Sequence, residues 1–396
     1  MTPSQTHRLP YATMLICGSA VAYDGYDLIT YGATLREISA EWALTKPESG
    51  LIGSVALIGM FFGAIIGGSI APRFERKHVF IGCVFWFSIF MFACAFAHGP
   101  VVFAILRFLN GFGLGALLPI AAAITQESAP EGKKNLAYVS MQSGYPLGGV
   151  AASLVAMWVL AHYSWHWMYL IGALPLVTII PAAMAWLPNT GHQPSRAGDG
   201  LRIVFAPQYR RSTVVFWIMS FSSLLFVYGA NTWLPSLMRE SGHSTTSALG
   251  FLLAFNAGGI VGGLVGGWAC DHWQPTRIVS VSFLVGALAV ALFTTGTNTL
   301  LSLGLAALAG YGAVGTQTLI NSWATRFYPA AARTTGVGWV LGMGRIGGII
   351  GPYLTGVLIV ITSGGTSAFL LFSGIACVGA CLAFLVKNQA AAHAEG

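Results

Sequence analysis

About twenty consecutive apolar residues cross the hydrocarbon of a bilayer as one helix, and this chain of 396 residues offers that pattern twelve times. Windows of about 19 residues predict helices over 11–34, 49–71, 78–97, 100–125, 135–160 and 167–187, then over 213–238, 247–269, 277–296, 299–325, 334–360 and 365–386. Only 8% of the residues are charged and 55% are hydrophobic; a soluble domain carries about 25% charged residues, so a water-soluble enzyme is excluded. The one long polar interruption, Pro188 to Arg211, divides the segments six and six. The expected fold is an all-α integral membrane protein with twelve transmembrane helices. They form two six-helix bundles related by pseudo-two-fold symmetry, residues 1–187 and 213–396, joined by a cytoplasmic linker over 188–212.

Basic residues fix the orientation. An even number of helices puts both termini on one side; if that side is the cytoplasm, 14 of the 19 Lys and Arg fall inside and only Arg36, Lys46 and Arg239 outside. The remaining two, Arg107 and Arg345, lie within helices. Short basic loops stay on the cytoplasmic side, which predicts a cytoplasmic (inner) membrane protein with both termini inside. The net charge of +7 is scattered, not gathered into an arm or patch, so no nucleic acid partner is expected. None of the six cysteines forms a CxxC pair, and neither a disulfide framework nor a metal site is indicated. The N-terminal apolar stretch lacks a small-residue cleavage site before Asp24 and reads as a retained first helix.

The halves repeat. Gly111, Gly113, Gly148 and Gly149 recur 199 residues on as Gly310, Gly312, Gly347 and Gly348, and Tyr31-Gly32-Ala33 returns as Tyr228-Gly229-Ala230 at an offset of 197. Two like-oriented repeats are what a rocking transporter needs.

Ten of the 12 acidic residues fall at helix ends, in loops or in tails, which leaves Asp24 and Asp27 inside the membrane, one helical turn apart in YDGYD. A charge at that depth costs at least about 2.5 kcal/mol, so it persists mainly where it faces a polar partner or does work. Counted at 1.5 Å per residue, Asp24 and Arg345 come near the midplane, and Arg107 comes to the depth of Asp27. Two carboxylates and two guanidiniums make a nearly neutral core, which a bound carboxylate would unbalance; anion binding should therefore be accompanied by proton uptake at Asp24 or Asp27. Uncharged polar and aromatic candidates for a substrate cavity are Gln142, Tyr228, Asn231, Asn256, Gln317 and Trp339. Arginine and aromatic faces together suit a flat aromatic anion.

RFLNGFGLG (Arg107 to Gly115) and GGSIAPRFERK (Gly67 to Lys77) resemble motifs of the major facilitator superfamily. DGYD (Asp24 to Asp27) with GRIGGIIGP (Gly344 to Pro352) is similar to the aromatic acid and proton symporter family. The resemblance implies benzoate-like or hydroxybenzoate-like substrates, proton coupling by Asp24 and Asp27, and transport roles for Arg107 and Arg345. It also implies gating by Arg73, Arg76 and Lys77 and, in the second half, by Asp271 and Arg277 of GGWACDHWQPTR. Two departures stand out: Pro72 occupies the place of the loop aspartate that helps lock the cytoplasmic side, and Glu75 that of a glycine.

The expectation is thus a monomeric secondary active transporter, taking up an aromatic carboxylate with protons by alternating access. It uses no cofactor beyond the proton gradient. Arg345 is expected to anchor the substrate carboxylate, and Arg107 to partner Asp27. The competing reading is a proton-coupled antiporter exporting small organic anions or drugs, to which Gly144-Tyr145-Pro146 in helix 5 lends modest support. An intramembrane aspartyl protease is disfavoured, because no second carboxylate stands on another helix in a GxGD setting.

Overall fold

The computed structural model describes residues 3–70, 74–130, 134–188, 202–293, 298–329, 332–362 and 365–386. They form twelve helical segments: α1 Pro3–Glu41, α2 Lys46–Ile70, α3 Arg76–Cys94, α4 Pro100–Ser128, α5 Lys134–Gln142 continuing as Gly144–His162, and α6 from His166 to Trp186 with a break at Ala173–Thr178. The second six are α7 Pro207–Glu240, α8 Thr245–His272, α9 Pro275–Phe293, α10 Thr299–Gly310 running on through Tyr311–Gly315 and Thr316–Phe327, α11 Arg333–Ile361 and α12 Thr366–Ala383. Eleven of the helices among the described residues are long and apolar enough to cross a membrane. The exception is α1, whose apolar run is interrupted by Tyr23 to Asp27. It is also longer at both ends than the expected 11–34. Of the expected linker, 189–201 lies outside the described residues.

Local chemistry explains the elements. Thr45 opens α2 with a capping box in which Glu48 Oε2 accepts from the Thr45 backbone N at 2.8 Å and from its hydroxyl at 2.7 Å. Tyr311–Gly315 of α10 forms a π turn, and there Gly312 meets the backbone of Gly286 on α9. Such turns recur at functional sites inside helices.

The chain divides into two compact units. The first comprises α1 to α6 together with Met238–Leu249, and the second α7 up to Leu237 and the chain from Gly250 on. Within the first unit Arg239 pairs with Glu37, and Lys46 Nζ lies 2.9 Å from Glu240. In each unit the helices meet where glycine removes the side chain, as expected for packing in lipid, where close backbone contact replaces hydrophobic drive.

These contacts fix the register of the repeat. A methyl group on Gly59 would strike the carbonyl of Phe108, and one on Gly258 that of Ala307; Gly111 meets Ala56 as Gly310 meets Phe255, and Gly148 meets Ala22 as Gly347 meets Phe221. Every partner is displaced by the same 199 residues. The Tyr31 to Tyr228 match is corrected by this register: the position that packs like Tyr31 is Ala230, because α1 and α7 are held in place by Ala22 and Phe221.

Candidate functional site

In the first unit the embedded charges meet. Arg107 Nη1 on α4 lies 2.6 Å from Asp27 Oδ1 on α1, with side-chain exposures of 1% and 2%. The guanidinium carbon stands 5.7 Å from the centre of the Tyr31 ring, a cation–π contact. Tyr31 is itself fixed, since its hydroxyl donates to the Ser49 carbonyl at 2.5 Å. Thr34 and Tyr169 hydroxyls approach to 3.4 Å close by. The ion pair is single-pronged: among the described residues, Asp27 Oδ2 and Arg107 Nε find no hydrogen-bond partner. A buried carboxylate thus keeps one oxygen uncommitted beside its cation.

Asp24 is fully buried one turn away. Gly25, between the two aspartates, lets the Tyr145 backbone of α5 come up against α1; any side chain would collide with that carbonyl. Gln142, at the end of the first part of α5, is half-buried and hydrogen-bonds Tyr138 on its own helix.

The second repeat builds the same helix crossing without charge. In its register Phe226 takes the place of Asp27 and Ala306 that of Arg107. Both line a small apolar cavity with Ala230, Phe255, Ala309 and Phe372, the last stacked on Phe226 at 5.2 Å.

The polar candidates of the second unit fall into separate groups. Asn256 Nδ2 on α8 donates to Asn231 Oδ1 on α7 at 3.0 Å. Gln317 Nε2 on α10 reaches Ser220 Oγ at 3.0 Å and Asn321 Oδ1 at 3.1 Å. Arg345 is half-buried on α11, between Gly344, which packs on Ser220, and Gly347, which packs on the Phe221 backbone. Tyr228 lies against Gly348. Trp339 is 39% exposed and stacks on Trp217 at 5.4 Å, with Phe205 edge-on to both. This aromatic group is six residues, about 9 Å, nearer the start of α11 than Arg345.

The loop motifs tie helix ends within each unit. Arg76 pairs with Glu127 at the end of α4, and Lys77 Nζ donates to the Met184 carbonyl at 2.9 Å. In the second unit Asp271 pairs with Arg326 at the end of α10, while Arg277 stands on the first turn of α9. Arg73 and Pro72 lie outside the described residues. Sequence reasoning missed Glu127 and Arg326, although they are 199 residues apart and opposite in sign. The ends of α4 and α10 thus carry opposite charges at matching positions and take different partners: Glu127 holds Arg76 at the start of α3, whereas Arg326 holds Asp271 at the end of α8.

Twelve membrane-length helices in two repeats, with a charge pair buried in one, define a membrane transporter. The sequence profile of the Major Facilitator Superfamily matches residues 15–352 and again 261–395, and the chain belongs to that superfamily; it is a transporter and not an enzyme. It is 32% identical to the benzoate transport protein of Acinetobacter baylyi, over 98% of this chain and 91% of that one. It is 36% identical to the gentisate transporter of Corynebacterium glutamicum, over 96% and 88%, and 32% identical to the 4-hydroxybenzoate transporter of Pseudomonas putida, over 87% and 85%. The solved D-xylose-proton symporter shares the fold, with a TM-score of 0.79 at 14% identity over 95% of this chain and 97% of that one.

Proposed function

We propose that this protein is a proton-coupled symporter that takes up an aromatic carboxylate of the benzoate or hydroxybenzoate class by alternating access, as a monomer in the cytoplasmic membrane with its basic loops inside. The observation that carries the coupling is the Asp27–Arg107 pair. Its counterpart positions hold Phe226 and Ala306, so the crossing of these helices does not require charge. A buried ion pair often stabilises no more than apolar packing of similar volume, and intramembrane charge is costly. Retention of the pair is then explained by function, and a carboxylate with one uncommitted oxygen is a site that can take up and release a proton. Asp24, on the same helix, is assigned the companion role. The substrate class rests on relatives that transport benzoate, gentisate and 4-hydroxybenzoate.

In this reading Arg345 anchors the carboxylate, since a guanidinium offers paired donors that match it. Tyr228, Gln317, Asn231, Asn256, Trp339 and Gln142 are the further substrate-contact candidates, spread along their helices and not gathered round one bound ring, and Arg107 serves through Asp27. The cytoplasmic ties of Arg76 and Asp271, with Lys77, Arg277 and Arg73, belong to gating.

Purified protein in vesicles tests the proposal. An inward proton gradient should drive labelled benzoate or a hydroxybenzoate above its external concentration, and collapse of the gradient should release it. Accumulation driven only by the opposite gradient would make the protein an exporter.

A further inference from the structure

Buried amides in membrane helices are hydrogen-bonded, either to the protein or to something that arrives. Asn231 on α7 is 2% exposed and Asn256 on α8 is 1% exposed. Asn256 Nδ2 lies 3.0 Å from the Leu252 carbonyl oxygen and 3.0 Å from Asn231. A backbone carbonyl only accepts, so the Asn256 atom facing Leu252 must be its nitrogen. The same nitrogen donates to Asn231, whose facing atom must then be its oxygen. Both amide orientations follow from hydrogen-bond logic, with no free choice of flip. The consequence falls on Asn231 Nδ2: it is buried, turned away from Asn256, and has no acceptor among the described residues.

The height of this donor can be set against Arg345. Helix α11 runs beside α7, with Gly347 at Phe221, Gly348 at Tyr228, and the Pro352 carbonyl accepting from Trp233 Nε1 at 2.8 Å. Arg345 is thus level with about Phe221, and Asn231 stands ten residues further along α7, a rise of about 15 Å. That separation is of the order spanned by an arginine side chain, a benzoate ring and the hydrogen bonds at its two ends together, so a substituent on the far side of a ring held at Arg345 is the part of the substrate with the reach to meet Asn231.

We propose that Asn231 Nδ2 is a specificity-determining donor for an oxygen substituent on the substrate ring, held in position by Asn256. The inference rests on the aromatic-acid reading above. A hydroxyl oxygen satisfies the buried amide, whereas an unsubstituted ring leaves it unpaired, and sites of this kind discriminate against analogues that lack the polar group.

Equilibrium binding of benzoate and of its ortho-, meta- and para-hydroxylated forms to purified wild type, Asn231→Leu, Asn231→Ala and Asn256→Ala tests this. Wild type should bind at least one hydroxylated acid about tenfold more tightly than benzoate, the effect of one net hydrogen bond. Asn231→Leu, which keeps the branched side-chain skeleton without its polar atoms, and Asn231→Ala should bring that ratio near one by weakening only the hydroxylated acid. Asn256→Ala should reduce the ratio in part while leaving Asn231 in place, which keeps the test alive if the Asn231 variants fail to fold. Equal weakening of every acid would give Asn231 a structural or carboxylate-binding role and overturn the inference, as would an unchanged ratio or a wild type without preference. In those cases benzoate binding still upholds the aromatic-acid reading; wild type that binds no aromatic acid defeats both.

Discussion

Arg107 Nη1 lies 2.6 Å from Asp27 Oδ1 in the core of the first unit, and the two positions that answer to them in the second unit hold Ala306 and Phe226. The molecule therefore contains its own control: one repeat crosses these helices around an ion pair, the other around an aromatic ring. The difference separates what the fold requires from what the charges are for.

Replacing the pair by its counterparts exploits that control. Arg107→Ala alone strands a buried carboxylate and should cost about 3–5 kcal/mol. Combined with Asp27→Phe, total side-chain volume is nearly conserved, and most of the thermal stability should return. Transport against a gradient should stay lost in the double variant. Thermal unfolding in detergent and vesicle accumulation measure the two properties separately; stability recovered together with transport would show the pair to be dispensable.

Asp27→Asn and Asp24→Asn address coupling directly, because an amide does not take up and release a proton in the physiological range. Each should reduce proton-driven accumulation to the equilibrium level. Exchange of labelled for unlabelled substrate should persist in at least one of them. Accumulation at wild-type levels in both variants would leave the carboxylates with a structural role only.

The carboxylate anchor is tested by Arg345→Lys and Arg345→Ala. Lysine keeps the charge but not the planar paired donors, so Arg345→Lys should weaken benzoate binding by about tenfold and Arg345→Ala should abolish it. Arg107→Ala should disturb the pH dependence of binding more than its affinity at the optimum. Binding titrated across pH decides between the arginines: loss in Arg107→Ala with retention in Arg345→Ala would reverse their roles.

The ion pairs at the ends of α4 and α10 should matter for rate and not for stability. Arg326 and Asp271 are 48% and 58% exposed, and such pairs contribute at most about 1 kcal/mol. Asp271→Asn should thus leave the melting temperature almost unchanged while altering the transport rate. The exchange Asp271→Arg with Arg326→Glu, which copies the polarity of Glu127 and Arg76, should restore the rate. A double variant no better than Asp271→Asn would remove the tie from the gating scheme.

Much of this was legible in one dimension. Length and hydropathy predict the helices because a membrane admits few other structures; most boundaries came within a few residues, whereas α7 starts six residues before the expected 213 and α1 runs past 11–34 at both ends into the polar stretches 3–10 and 35–41, which hydropathy does not count. The cost of burying charge singled out Asp24, Asp27, Arg107 and Arg345 among 31 charged side chains, the 19 basic and 12 acidic residues of the chain. Glycine spacing revealed the repeat, yet it also offered a false register at Tyr31 and Tyr228, since a short motif match carries no information about what the helix packs against. Only the tertiary structure decided partners. The meeting of Asp27 with Arg107, 80 residues away, the apolar answer at Phe226 and Ala306, the closing of Asp271 on Arg326 and the forced orientation of the Asn231 amide all depend on side-chain distances across helix interfaces. Sequence sets how deep a residue lies along its own helix, whereas rotation and neighbour are set by the packing of one helix on another.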